Sequence, residues 1–218
     1  MTRTALAVIA AATILSESNA LASDHYFFFR EDSKRGGGPL LEVGAFESTG
    51  VTVEEFGNAG GFTTIELTPS PLPFASLDLS SVQPLKHSQW YLGRAIATTP
   101  VATMAVVRYA NDVVVFPPIQ QTAATRFIIP VGDLSDGASL IIGNPGGDPL
   151  IVFVAWANSI TQVLVPATSV VELPLSVSNT TYEVFSEGVA GTQLPFVAGL
   201  AVNTEKGGNQ LTMLAPPQ

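Results

Sequence analysis

Two side chains carry the imidazole that hydrolytic and metal chemistry most often uses, His25 and His87, and the chain has no cysteine. A serine hydrolase needs a histidine beside its nucleophile. No Gly-x-Ser-x-Gly turn marks such a serine, and His87 lies in Pro84-Leu85-Lys86-His87-Ser88, which reads as a surface loop. The lack of thiols removes disulfides, thiolate catalysis and cysteine-based zinc sites together. Glu54 and Glu55 are neighbours, and neighbours on a strand face opposite ways, so they make no glycosidase pair. Asp133, Asp136 and Asp148 offer oxygens to calcium, but their spacing matches no calcium loop and reads as solvated turns. Trp90-Tyr91 and Trp156 are the candidates for a sugar-binding platform, although strand aromatics more often fill cores. Asn179-Thr180-Thr181 fits a glycosylation sequon. These patterns predict a protein that is not an enzyme and holds no cofactor.

A leader precedes everything else. Arg3 is followed by the apolar run Ala5 to Leu15, and Ala20-Leu21-Ala22 supplies small residues before Ser23. The run makes a helix of roughly 16 Å, short of the roughly 30 Å of a hydrocarbon core. Residues 1–22 therefore read as a cleaved signal peptide, an uncleaved amphipathic or buried helix being the other reading. The expected location is secreted, periplasmic or cell-surface, with no transmembrane segment in the mature chain. Cleavage before Ser23 would give a terminus Ser23-Asp24-His25. Its amine, two amides and imidazole suit a square-planar Cu(II) or Ni(II) ion, which makes these residues a candidate metal site.

The formal net charge of −9 argues against nucleic acid as a partner, since phosphate binding needs clustered Lys and Arg. Only 12% of residues are charged while 46% are apolar. Such an excess predicts either thoroughly buried strands or apolar surface covered by other subunits.

The elements that must carry these residues are strands. After the leader, helical periodicity is nearly absent, and β-branched and aromatic runs of four to eight residues are punctuated by Gly, Pro, Asn and Asp. The second half also repeats the first at an offset of about one hundred residues. Phe27 falls on Phe127, Leu41 on Ile141, Val51 on Ile151, Val53 on Phe153 and Phe56 on Trp156. The register then drifts, with Leu67 on Leu164 and Leu77 on Val171, and each half closes on a Pro-Pro pair. The expected fold is all-β, two tandem β-sandwich domains of immunoglobulin-like or jelly-roll-like type. Their predicted bounds are 23–117 and 126–218, with a linker over 118–125.

A family resemblance follows from the second half. Arg126–Pro130, Ser139–Ile142, the turn Asn144-Pro145-Gly146-Gly147, Ile151–Val154 and Val165–Ala167 together resemble bacterial secreted immunoglobulin-like repeats. The first half keeps the spacing but has Gly44-Ala45-Phe46-Glu47 in place of the turn motif. That domain class implies a sandwich and no catalytic residues.

The function expected is a secreted, non-enzymatic structural or assembly subunit, such as a surface-layer, filament, appendage or capsid-like component. Its partners would be itself, as homo-oligomer or polymer, or other surface proteins. Interface candidates are Val152, Val154 and Trp156 on a strand apolar on both faces, and the run Phe27-Phe28-Phe29. That run is either exchanged between subunits or the first strand of its own domain. The alternative is a monomeric periplasmic or extracellular binding module, chaperone-like or carbohydrate-binding, using a cleft between the domains.

Overall fold

A computed structural model describes residues 23–31, 38–56, 61–68, 73–86, 89–108, 113–116, 123–133, 137–187, 193–203 and 209–213. His87 and Asp136 lie outside the described residues, as does the proposed leader. The first half supplies β1 (Ser23–Arg30), β2 (Pro39–Ala45), β3 (Thr49–Phe56), β4 (Gly61–Leu67), β5 (Phe74–Asp78), β6 (Trp90–Ala97), β7 (Val101–Arg108) and β8 (Val113–Phe116). The second supplies β9 (Arg126–Val131), β10 (Ala138–Asn144), β11 (Leu150–Trp156), β12 (Ser159–Val165), β13 (Ser169–Leu175), β14 (Thr180–Glu187), β15 (Val197–Asn203) and β16 (Asn209–Met213). Among the described residues the one helical element is a single 3-10 turn, Leu79–Ser81, capped by Asp78 Oδ1 accepting from the Ser80 amide at 2.9 Å. No helix among them is long and apolar enough to cross a membrane.

Among the described residues all strand pairs are antiparallel, and they form four sheets of four. Sheet A runs β1-β6-β3-β4 and sheet B runs β5-β2-β7-β8. Sheet D, read from β9, runs β9-β14-β11-β12, and sheet C runs β13-β10-β15-β16. Counted from the start of each half, D repeats the order of A and C repeats the order of B. The duplication read from the sequence is thus a duplication of topology. In immunoglobulin constant domains the first two strands share a sheet, whereas β1 and β2 lie in different sheets. The strand order therefore differs from that of an immunoglobulin constant domain.

Each half closes a core between its two sheets. In the second half Phe127, Ile129, Val152, Val154 and Val184 from sheet D meet Leu140, Ile142 and Ala198 from sheet C. In the first, Phe27, Phe29, Val51 and Val53 from sheet A meet Leu41, Val43 and Ala105 from sheet B. Both halves anchor the same strand in the same way. The Tyr91 hydroxyl accepts from the Lys86 amide at 2.5 Å, and the Tyr182 hydroxyl accepts from the Val177 amide at 3.1 Å and donates to the Val177 carbonyl at 2.9 Å. Such a tyrosine corner ties a strand to the loop that enters it.

The two tyrosines fix how the copies correspond. Tyr91 pairs with Phe29 and Tyr182 with Ile129, so β1 and β9 keep the offset expected from the sequence. In β2, β3 and their counterparts the expected offset is one residue out. Val53 and Val152 occupy equivalent points opposite Ala95 and Ser186, and Leu41 corresponds to Leu140 rather than Ile141. A one-residue slip exchanges the faces of a strand, so the offset of one hundred sets inward Val51 against half-exposed Ile151. Leu67 and Leu164 are likewise not equivalent: Leu67 is buried, whereas Leu164 is 63% exposed.

The halves also pack on each other. The outer face of sheet A carries Phe28, Trp90 and Leu92, and these share one buried cluster with Ile141, Val197 and Ala201 from the outer face of sheet C. Sheets A and C therefore face each other between the halves, and the edge strand β8 of sheet B also meets β16 of sheet C. Gly143 on β10 permits the close approach, since a Cβ there would sit 2.9 Å from Phe28 Cε1 and 3.0 Å from Leu92 Cδ2.

Candidate protein-interaction face

The residues that chemistry would use are dispersed or buried. His25 faces inward on β1 at 6% exposure, and its strand pairs with β6 from Ser23↔Ala97 onward. A square-planar metal would need those amides turned out of the ladder and the imidazole drawn from the core. The geometry of Ser23, Asp24 and His25 does not fit that ion. No group of three His, Asp or Glu suited to a metal occurs among the described residues. Asp133 and Asp148 are exposed at opposite ends of β10, roughly 20 Å apart at a strand's rise. Trp90 and Tyr91 are buried, and Trp156 is half-buried beside Tyr182, so these three build no open sugar platform. Asn179 of the sequon is exposed.

Glu54 and Glu55 do point opposite ways. Glu54 lies outside, 3.4 Å from Arg94, while Glu55 is 2% exposed inside the first sandwich. Burial pushes the Glu55 carboxyl up to about 8. The nearby Gln83 side chain opposes that rise, and the Asp78 carboxylate adds to it. Among the described residues neither Glu55 oxygen nor Gln83 Nε2 reaches a partner with good hydrogen-bond geometry. A neutral acid buried in this way costs stability. Sequence reading missed this residue, because alternation gives the face and does not give what lies across from it.

The turn that carried the family resemblance has a structural role. Asn144 is buried, and its Nδ2 donates to the carbonyls of Asp148 at 2.8 Å, Pro166 at 3.0 Å and Val165 at 3.3 Å. Its Oδ1 accepts from the Gly146 amide at 2.9 Å. One amide thereby joins the end of β10 to β11 and β12. Ala45 holds the equivalent position in the first half, and there the link is a backbone bond from Ala45 to the Pro73 carbonyl at 3.0 Å.

Comparison of the chain with family models, with curated proteins and with solved structures finds no match to any of the three.

What remains is a surface. The interface candidates Val152 and Val154 are fully buried in the second core, and Phe27 and Phe29 are buried in the first. Phe28 alone of that run faces the other half of the chain. The Phe run is thus the first strand of its own sandwich. The outward face of β11 consists instead of Ile151, Phe153 and Ala155, all half-buried. Phe153 stacks on Phe185 of β14 with ring centroids 5.4 Å apart. Around this pair lie Ile128 at 46%, Ile160 at 60% and Leu164 at 63% exposure, each pointing away from the core. The Arg126–Glu183 ion pair, 2.6 Å, lies on the same side. Sheet D therefore presents an open apolar face. The equivalent face of sheet A is covered along β1 and β6 by sheet C.

Proposed function

We propose that this protein is an exported, non-enzymatic structural or assembly subunit that works through protein–protein contacts. The observation that carries the reading is the outer face of sheet D, where Ile128, Ile160 and Leu164 surround the Phe153–Phe185 stack with nothing described above them. Monomeric proteins rarely leave a contiguous apolar patch of this kind on a rigid sheet. The leader pattern before Ser23 supports export, and β1 opens at the residue that cleavage would make the terminus. The burial of His25, Trp90 and Tyr91 favours this reading over catalysis or sugar binding at those residues.

The face also bounds the strength of the contact. Four strands of about seven residues cover a footprint of roughly 19 by 23 Å. That is about half of the ~800 Å² that one partner buries in a standard interface. Association through this face alone is therefore concentration-dependent.

Native mass spectrometry of the protein from its host's exported fraction tests the reading. The expected masses begin at Ser23 and include species of more than one chain. A single-chain mass at every concentration returns the function to the monomeric binding module, and retention of Met1 removes the claim of export.

A further inference from the structure

Across the open face of sheet D, the side-chain chemistry reads the same from either edge. The strand order there is β12, β11, β14, β9. One outward row carries Gln162, Phe153, Phe185 and Arg126, polar at both ends and aromatic at the centre. The next carries Ile160, Ala155, Glu183 and Ile128, aliphatic at both ends. Resting on the assembly role proposed above, we propose that the partner is a second copy of this chain, bound through its own sheet D. The two copies are related by a two-fold axis that runs along the strands between β11 and β14.

Such a contact sets one patch against itself, so the patch must complement its own rotated image. This rotation reverses the strand order and keeps the rows in register. Phe153 then meets the partner's Phe185, Ile160 meets the partner's Ile128, and Gln162 meets the partner's Arg126, each pair occurring twice. Glu183 falls opposite the partner's Ala155, a small side chain, while it stays paired with Arg126 of its own chain at 2.6 Å. A two-fold axis across the strands would instead set Glu183 against the partner's Glu187 and Arg126 against the partner's Arg126. Like charges placed so are repelled, and charge therefore selects the axis along the strands.

The first half supplies a precedent for the mode of contact. There the equivalent outer face, with Phe28 and Leu92, is already buried against another sheet of this same chain. In sheet D the corresponding surface keeps Ile128, Ile160 and Leu164 at 46%, 60% and 63% exposure. Two aligned sheets pack about 10 Å apart with their strands within about 30°. The footprint, about half of the ~800 Å² that one partner buries in a standard interface, makes the dimer one that dissociates on dilution. It closes at two chains, because each copy has then used its D face.

Cross-linking tests the arrangement, since a thiol introduced into this cysteine-free chain is the only one present. Ile128→Cys and Ile160→Cys change exposed positions on β9 and β12, three strand spacings or roughly 14 Å apart. Treated with a short bis-maleimide, an equimolar mixture of the two variants yields a covalent two-chain species, and neither variant alone yields one. Light scattering of wild type rises with concentration to two chains and stops there. Self-linking of either variant, or a wild type that associates while the mixture stays unlinked, overturns the two-fold contact and leaves the assembly role standing. Species of more than two chains likewise overturn the closed dimer and leave that role. A wild type that stays a single chain at all concentrations overturns both.

Discussion

The first and second halves carry the same strand order, yet they place apolar residues to different ends. In the first half the Phe27-Phe28-Phe29 run is buried on both sides, inward against sheet B and outward against sheet C. In the second half Phe127-Ile128-Ile129 occupies the same points, with Phe127 and Ile129 buried and Ile128 open. The polar residues are distributed the other way. The first half buries a carboxyl, Glu55, at the point where the second has Val154. The second clamps its loops through the satisfied amide of Asn144, where the first has Ala45. The comparison teaches that duplication preserved topology while each copy specialised its outer face: one became an internal seam, the other stayed open.

The largest expected effect comes from changing one position in both copies. Phe28→Asp buries a carboxylate in the seam between the halves and should cost about 3–5 kcal/mol of unfolding free energy. Ile128→Asp should cost under about 1 kcal/mol, because its site faces solvent. Denaturant unfolding of the two variants reads the difference directly, and equal losses would mean that the two faces are not differently covered.

Next comes the clamp. Asn144→Ala removes one donor group from three carbonyls and one acceptor from the Gly146 amide. A loss of about 2–3 kcal/mol is expected in the same assay. A loss below ~0.5 kcal/mol would leave the turn without the anchoring role assigned to it.

The buried acid gives a pH signature confined to the first half. A carboxyl raised from 4.5 to about 8 keeps its proton in the native state where the unfolded chain has lost it. Its contribution to stability is therefore full below pH 4.5 and falls as pH rises towards 8, at no more than about 1.4 kcal/mol per pH unit. Glu55→Gln should flatten that fall and leave the variant more stable than wild type at pH 8. Parallel curves for the two proteins would show that Glu55 ionises freely.

The smallest effect lies in the β11–β12 hairpin, where Ala157 adopts φ 47°. Left-handed backbone disfavours any Cβ, so Ala157→Gly should raise stability by about 0.5–1 kcal/mol. A decrease would show that the alanine methyl is used in packing.

Much of the fold was legible in the sequence. Period-two alternation placed the strands, Asn144-Pro145-Gly146-Gly147 marked a turn that the structure clamps, and the adjacency of Glu54 and Glu55 put them on opposite faces. The open face was not read correctly, for two physical reasons. A change of one residue in the loops between strands reverses inside and outside, and on a strand apolar on both faces the sequence does not distinguish Val152 and Val154 from Phe153. Moreover, Phe28 and Ile128 sit in nearly identical local sequence, and only the layer stacked above distinguishes them. Burial on an outer face is a property of the neighbouring sheet, which no local pattern contains.

The central claim is that the outer face of sheet D binds another protein chain. Sedimentation velocity of wild type beside Phe153→Lys, over a wide concentration series, tests it most directly. The expected result is a wild type whose sedimentation coefficient rises with concentration and a variant that stays a single, folded chain. Identical, concentration-independent single-chain behaviour of both proteins would contradict it.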